Sequence, residues 1–248
     1  MNKPETELDA LAVFSHPDDA ELTVAGTLLK LKALGYRTGV LDVTRGEMGT
    51  RGTPEIRAKE AQDAARVLKL DARLNLDLPD GHVWATEEAR QAMVRILREH
   101  KPKVIFTSHW DDPHPDHANT CRIVREAARL ASMRRYDEEA GLDAIAVPAI
   151  AHAVYSRLVA PSFVVDVSEF LEEKMRAIRA HASQFYRTDS GEPETRISSQ
   201  GFLQQIEWRM RYYGSLIGST AGEAFYVREA LNVDDPLALL TRPMNIYS

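Results

Sequence analysis

The sequence predicts an α/β fold: a doubly wound, mainly parallel sheet with helices on both faces and extra helices toward the C-terminal end. Three observations carry this expectation. Through the first two thirds of the chain, short apolar β-rich runs alternate with stretches whose apolar residues recur every three or four positions. Glycine punctuates the junctions, at Gly35 and beside Asp80 at Gly81. The last third changes to two long helical patterns joined by a polar segment.

In chain order, the expected strands are residues 11–15, 38–44, 74–78 and 103–108, then a later pair at 149–156 and 163–167. Helical periodicity covers 21–34, 54–68, 87–99 and 116–131 between them, and 169–184 and 202–216 after them. Residues 186–199 read as a surface loop, and the apolar stretch 236–244 suits docking on its own domain or on a neighbour. All 248 residues, 1–248, are read as a single domain, because a chain of that length buries a sizeable core unaided. No internal repeat or low-complexity tract interrupts it.

Composition narrows the function classes. A net charge of −6 argues against a general nucleic-acid binder. The one cysteine, Cys121, excludes an internal disulfide framework and is expected as a small buried hydrophobe in a helix. The start MNKPETELDA is too polar for a signal peptide, and no apolar run approaches the ~20 residues of a membrane span. A cytoplasmic protein without a membrane partner is therefore expected.

Two short tetrads echo one another: His16-Pro17-Asp18-Asp19 and His114-Pro115-Asp116-His117. Each follows an expected strand and precedes an expected helix. With strand order 3-2-1-4-5, a Rossmann-like arrangement, strands one and four are neighbours, and both tetrads meet at the switch-point crevice where such sheets bind ligands. His16 and Asp19, three apart on a strand-to-helix turn, can face one point, whereas Asp18 must diverge. A third ligand from His117 or His114 completes two histidines and a carboxylate. That set suits catalytic zinc with an open fourth position, and equally non-heme iron(II) or another divalent metal. Zinc lowers the pKa of bound water to ~7, and Asp18 would be the base. Taken singly, Asp18 or Asp19 reads more simply as a helix N-cap, but two tetrads at equivalent turns argue against caps alone. His109, beside Trp110, suits structure or substrate contact. His82, His100, His152 and His181 carry no motif and read as structural or solvated.

At the tetrads the sequence resembles the LmbE-like, or PIG-L, family of zinc-dependent N-acetylglucosamine deacetylases. The resemblance continues through TRGEMGTRGTPEIR (44–57), HPDH (114–117) and AHASQF (180–185). The Arg-rich glycine loop and EPETRISS (192–199) resemble the bacillithiol biosynthesis branch, whose members act on N-acetylglucosaminyl malate. The resemblance implies His16, Asp19 and His117 as zinc ligands and Asp18 as general base. It implies that His114 stabilises the oxyanion or protonates the departing amine, with Asp116 orienting it, and that Arg57 contacts substrate. It also favours a homo-oligomer. Some relatives carry an arginine where this chain has Pro113, so anion recognition there must differ or come from elsewhere.

Residues 45–53 add an argument of their own. Three glycines permit close backbone approach, and Arg45, Arg51 and Arg57 can offer planar forks to the two carboxylates of a malate aglycone, although a solvated loop with scattered charge is the plainer alternative. The expected function is thus metal-dependent hydrolysis of the N-acetyl group of N-acetyl-α-D-glucosaminyl L-malate. Alternatives within the class are an inositol conjugate or a chitin fragment. A non-catalytic nucleotide-binding module is the remote alternative, and no Gly-x-Gly-x-x-Gly follows the first strand to support it.

Overall fold

The computed structural model describes residues 6–156, 159–188 and 191–241. The chain runs β1 (Ala10–Phe14), α1 (Asp19–Ala33), β2 (Thr38–Asp42), α2 (Pro54–Leu68), β3 (Ala72–Asn75), α3 (Glu87–His100), β4 (Val104–Thr107) and α4 (Pro115–Ala131). It continues through β5 (Ala149–Ala153), β6 (Phe163–Asp166), α5 (Leu171–Ala180), α6 (Phe202–Ser215), β7 (Gly222–Tyr226) and a short α7 (Pro236–Leu240). Among the described residues, seven strands form one sheet in the order β3-β2-β1-β4-β5-β7-β6. The first five are parallel, and β7 lies antiparallel to both β5 and β6.

Central position explains the composition of β1. Its five residues are all buried between β2 and β4, with Ala12 opposite both Val40 and Phe106. Successive side chains point to opposite faces. Leu11 and Val13, with Leu41 and Ile105, pack beneath Met93, Leu97, Ile123 and Val124 of α3 and α4. Ala10, Ala12 and Phe14, with Val40 and Phe106, pack beneath Val24 and Leu28 of α1. Helices therefore cover both faces, and a third apolar cluster joins α5 and α6 through Met175, Ile178, Phe202, Ile206 and Met210.

Helix α2 has the bounds its capping signals imply. Thr53 Oγ1 accepts from Ile56 N at 3.3 Å, Pro54 opens the first turn, and Lys69 closes the helix at φ 54°. The third strand lies earlier than 74–78, because Asp77 at φ 56° bends the chain after Asn75. Leu76 and Leu78 nevertheless still donate to Asp42 O and Val43 O. Helix α5 is shorter than 169–184, being preceded by a 3₁₀ turn at Ser168–Phe170 and ended before His181. Strand β7 was not anticipated, since GEAFY places an ionisable Glu223 inside a five-residue run. Cys121 is buried in α4 as expected. Of the stretch 236–244, α7 exposes Leu237, Leu239 and Leu240, and residues 242–244 lie outside the described residues. Among the described residues, no helix is long and apolar enough to cross a membrane.

Glu223 has its partner in the tertiary structure. Its carboxylate accepts from Gly26 N at 2.9 Å, Thr27 N at 2.7 Å, Thr27 Oγ1 at 2.6 Å and Lys174 Nζ at 2.6 Å. Lys174 also donates to Leu22 O at 3.0 Å. Leu22 O and Gly26 N are the carbonyl and amide that an α-helical ladder joins, so the buried pair is seated in the flank of α1. Only glycine fits there: a Cβ on Gly26 would lie 2.8 Å from Val167 Cβ and 3.0 Å from Glu223 Oε1. One buried ion pair thus ties α1, α5 and β7 together. Glu223→Ala should strand the Lys174 charge and cost about 3–5 kcal/mol in urea unfolding, whereas the joint replacement Lys174→Met with Glu223→Leu should recover most of it. A loss below about 1 kcal/mol for Glu223→Ala would show that the pair does not hold these elements.

Candidate active site

Because β1 and β4 are adjacent and parallel, their carboxyl ends place the two tetrads side by side. Asp18 sits at φ 124°, a conformation that costs a non-glycine residue about 1–3 kcal/mol. Its side chain makes no capping hydrogen bond to α1, so the N-cap role does not account for it. Asp19 opens α1, and its Oδ2 accepts from His16 N at 2.9 Å. The same oxygen lies 3.2 Å from His16 Nδ1 and 3.2 Å from His117 Nε2, and the two ring nitrogens are 3.4 Å apart. His16, Asp19 and His117 thus turn one ligand atom each toward a common point, all within 4.8 Å of one another.

The far nitrogen of each imidazole is held by another carboxylate. Asp80 Oδ1 is 3.0 Å from His16 Nε2, and Asp112 Oδ1 is 3.1 Å from His117 Nδ1. Carboxylate-backed imidazoles of this kind are characteristic of metal-ligating histidines, because the outer partner fixes ring and tautomer. The residues present therefore fit a divalent cation. A second trio, His16, His114 and Asp116, also lies within 4.8 Å. There, however, Asp116 accepts from Gly81 N at 2.7 Å and Val83 N at 3.3 Å, and His114 Nδ1 accepts from Asp116 N at 3.2 Å. It is the backbone amide of Asp116, rather than its carboxylate, that orients the His114 ring.

Electrostatics sorts these groups. Burial pushes Asp18 up to about 6, against the pull of Arg57 and with the help of the neighbouring Asp19 charge. Burial would raise Asp19 too, but His117 and His16 hold it well below the usual carboxylate range. Burial opposes protonation of His117, yet Asp19 and Asp112 carry it to about 10. His16 is raised as well, with Asp116, Asp19 and Asp80 outweighing burial. His114 goes the other way, lowered by burial and then by the His117 and His16 charges. A neutral His114 whose Nδ1 accepts a backbone N–H carries its proton on Nε2.

These groups line a cleft of about 590 Å³. A larger surface concavity, about 960 Å³ beside Lys101, Lys103 and Arg134, is lined by none of the candidate residues. Asp18 Oδ2 is buried without a hydrogen-bond partner, 3.6 Å from Arg57 Nη2. The three arginines are not gathered into one cationic grip. Arg45 is exposed, pairs with Asp77 and does not line the cleft. Arg51 is buried, with its Nε 3.4 Å from Glu192 Oε2. Arg57 lines the cleft, but donates to Gly46 O at 3.0 Å and Pro17 O at 2.8 Å. The glycines of the loop make room for this side chain: a Cβ on Gly46 would lie 2.1 Å from Arg57 Nη1, and one on Gly49 2.9 Å from it.

No motif marks Asp80 and Asp112 as outer partners, although each follows a strand on the side of the sheet where the tetrads lie. His181 is fully buried with Nε2 3.4 Å from Glu21 Oε2, and Glu21 in turn pairs with Arg73. His152 is buried with Nδ1 3.0 Å from Ser108 O, His100 Nδ1 is 2.8 Å from Thr6 O, and His82 is exposed. His109 is buried and stacks on Trp110 at 3.9 Å between ring centroids, a structural contact.

Comparisons with known proteins point to one family. A family model described as PIG-L, GlcNAc-PI de-N-acetylase, matches residues 11–128, the stretch that contains both tetrads. The chain is 31% identical over 202 residues to the diacetylchitobiose deacetylase of Thermococcus kodakarensis, covering 75% of this chain and 73% of that protein. It is 28% identical over 221 residues to a probable N-acetyl-alpha-D-glucosaminyl L-malate deacetylase 2 of Bacillus anthracis, covering 84% of this chain and 94% of that one. The crystal structure of a conserved Thermus thermophilus protein matches the fold with a TM-score of 0.81 at 36% identity, covering 91% of this chain and 97% of the other. With its fold, paired tetrads and sequence all in agreement, the chain belongs to the PIG-L family of de-N-acetylases.

Proposed function

We propose that this protein hydrolyses the acetamide of an N-acetylglucosamine glycoside, with His16, Asp19 and His117 holding a divalent cation, zinc by preference. The observation that carries the reading is Asp18: a buried carboxylate oxygen with no hydrogen-bond partner, lining the cleft beside that trio. When bound, the cation supplies Lewis acidity toward water and toward the acetamide oxygen. Asp18, ionised at neutral pH, takes a proton from the attacking water as its oxygen bonds to the carbonyl carbon. His114 Nε2–H donates to the oxyanion that develops. The C–N bond then breaks, protonated Asp18 returns its proton to the departing amine, and acetate and the glucosamine product leave.

The aglycone in this reading is L-malate, which places the protein in bacillithiol biosynthesis and is supported by the likeness to the Bacillus anthracis enzyme. A neutral N-acetylglucosamine disaccharide is the second reading, supported by the 31% identity to the Thermococcus kodakarensis deacetylase. Acetate release from the malate glycoside, an inositol glycoside and diacetylchitobiose, compared side by side, tests both. Arg57 serves either substrate in the same way, by fixing the 45–53 loop and the charge of Asp18.

Three outcomes are expected. Protein loaded with zinc should hold about one ion per chain, and chelation should abolish acetate release; full turnover by thoroughly demetallated protein would refute the metal reading. Asp19→Ala should lose metal affinity, whereas Asp18→Asn should keep the metal and lose about 10²–10⁴-fold in kcat. Equal metal loss in both variants, measured by elemental analysis, would show the roles misassigned. Arg57→Ala should slow charged and neutral glycosides by the same factor. A selective rise in KM for the malate glycoside would instead make Arg57 a substrate grip.

A further inference from the structure

Arg196 differs from the other arginine that lines the cleft. Arg57, the other arginine lining it, is committed to two backbone carbonyls and Asp18, whereas Arg196 is exposed and has no ion-pair partner among the described residues. Its backbone is nonetheless held in place. Thr195 N donates to Ser198 Oγ at 2.7 Å, Ser198 N donates to Thr195 Oγ1 at 3.3 Å, and Ser198 is buried. Ile197 packs into the apolar cluster of Phe185, Phe202 and Ile206. Glu192, on the same segment, accepts from Gly52 N at 3.2 Å and pairs with Arg51. The clamped turn fixes where the side chain leaves the backbone, so only the side chain, and not the segment that carries it, remains to be ordered on binding.

The charge layout of the cleft defines what that guanidinium can read. Asp18, Asp19, Asp80 and Asp112 line the cleft where the metal-ligating trio lies, and they disfavour a second anion among them. Tyr155, also on the wall, is pushed up to about 12 by burial and stays neutral, so it does not neutralise Arg196. Among the described residues lining the cleft, a negatively charged substituent on the substrate thus finds one arginine, Arg196, whose guanidinium is not already engaged.

We propose that Arg196 binds a carboxylate on the aglycone of the N-acetylglucosamine glycoside and thereby sets a preference for anionic over neutral substrates. The inference rests on the deacetylase reading above and names the substrate class for that site. A planar fork pairing with a carboxylate in a partly shielded cleft gives both affinity and register.

The test compares wild type, Arg196→Ala and Arg196→Lys, each loaded with zinc, on N-acetylglucosaminyl malate and on methyl N-acetylglucosaminide. In Arg196→Ala the ratio of kcat/KM for the malate glycoside to that for the methyl glycoside should fall about tenfold to a hundredfold. Arg196→Lys should retain an intermediate ratio. Calorimetric binding of the product, glucosaminyl malate, should weaken by a similar factor in Arg196→Ala and should weaken with salt in wild type. Equal losses on both glycosides, or a wild type without preference for the malate glycoside, would overturn the proposal while leaving deacetylation standing. If wild type releases acetate from neither glycoside, the deacetylase reading falls, and the calorimetry then decides Arg196 by itself: unchanged product affinity in Arg196→Ala sinks it.

Discussion

Two adjacent carboxylates, Asp18 and Asp19, are buried at the turn between the central strand and the first helix, and the surroundings of the site follow from accommodating them. Neighbouring charges of one sign in a dry site cannot both be stabilised in the same way. The φ of 124° at Asp18 turns its side chain away from that of Asp19, so the two meet different partners. Asp19 faces His16 and His117 and is held ionised. Asp18 faces Arg57 at 3.6 Å and open cleft, and burial lifts it to about 6. One local strain gives the two carboxylates different partners, and in the proposed function it separates a ligand from a base.

The rest of the molecule supports that turn from both sides. Parallel pairing of β1 with β4 brings His117 to the turn, and carboxylates after β3 and β4 hold the outer faces of His16 and His117. Behind α1, Glu21 is buried against Arg73 and His181; burial alone would raise it, but these cations keep it near 2. Further along the same helix, the Lys174–Glu223 pair anchors α5 and β7. The C-terminal third thus buttresses the helix that carries Asp19, and it also supplies Gln184, Arg196 and Phe202 to the cleft wall.

The glycine loop 45–53 shows how the same residues can serve a different task from the one their composition suggests. Its glycines admit close approach, but the group that approaches is Arg57 from the same chain. Gln184 Nε2 donates to Arg51 O at 2.7 Å, and Ser183 bonds Glu60 at 2.7 Å through both its amide and its hydroxyl, so AHASQF clamps the loop to α2. With Arg45 turned to Asp77 and Arg51 buried beside Glu192, cationic recognition shifts outward to Arg196.

Periodicity and punctuation were enough to read the βαβ order, the bounds of α2 and the convergence of the two tetrads, because these depend on short-range chemistry: alternation, capping and strand-to-helix turns. Strand β7 was illegible, since a buried Glu223 looks polar until Lys174 and two amides of α1 are brought to it from sequence separations of 49 to 197. Spacing left His114 and His117 equivalent; the tertiary structure distinguishes them, because only His117 Nε2 reaches Asp19 while His114 Nδ1 is occupied by an amide of its own helix. The arginines show the same division. Sequence marks where a cation stands in the chain, but which carboxylate, carbonyl or open cleft it meets is settled by contacts between distant segments, and no local pattern encodes those.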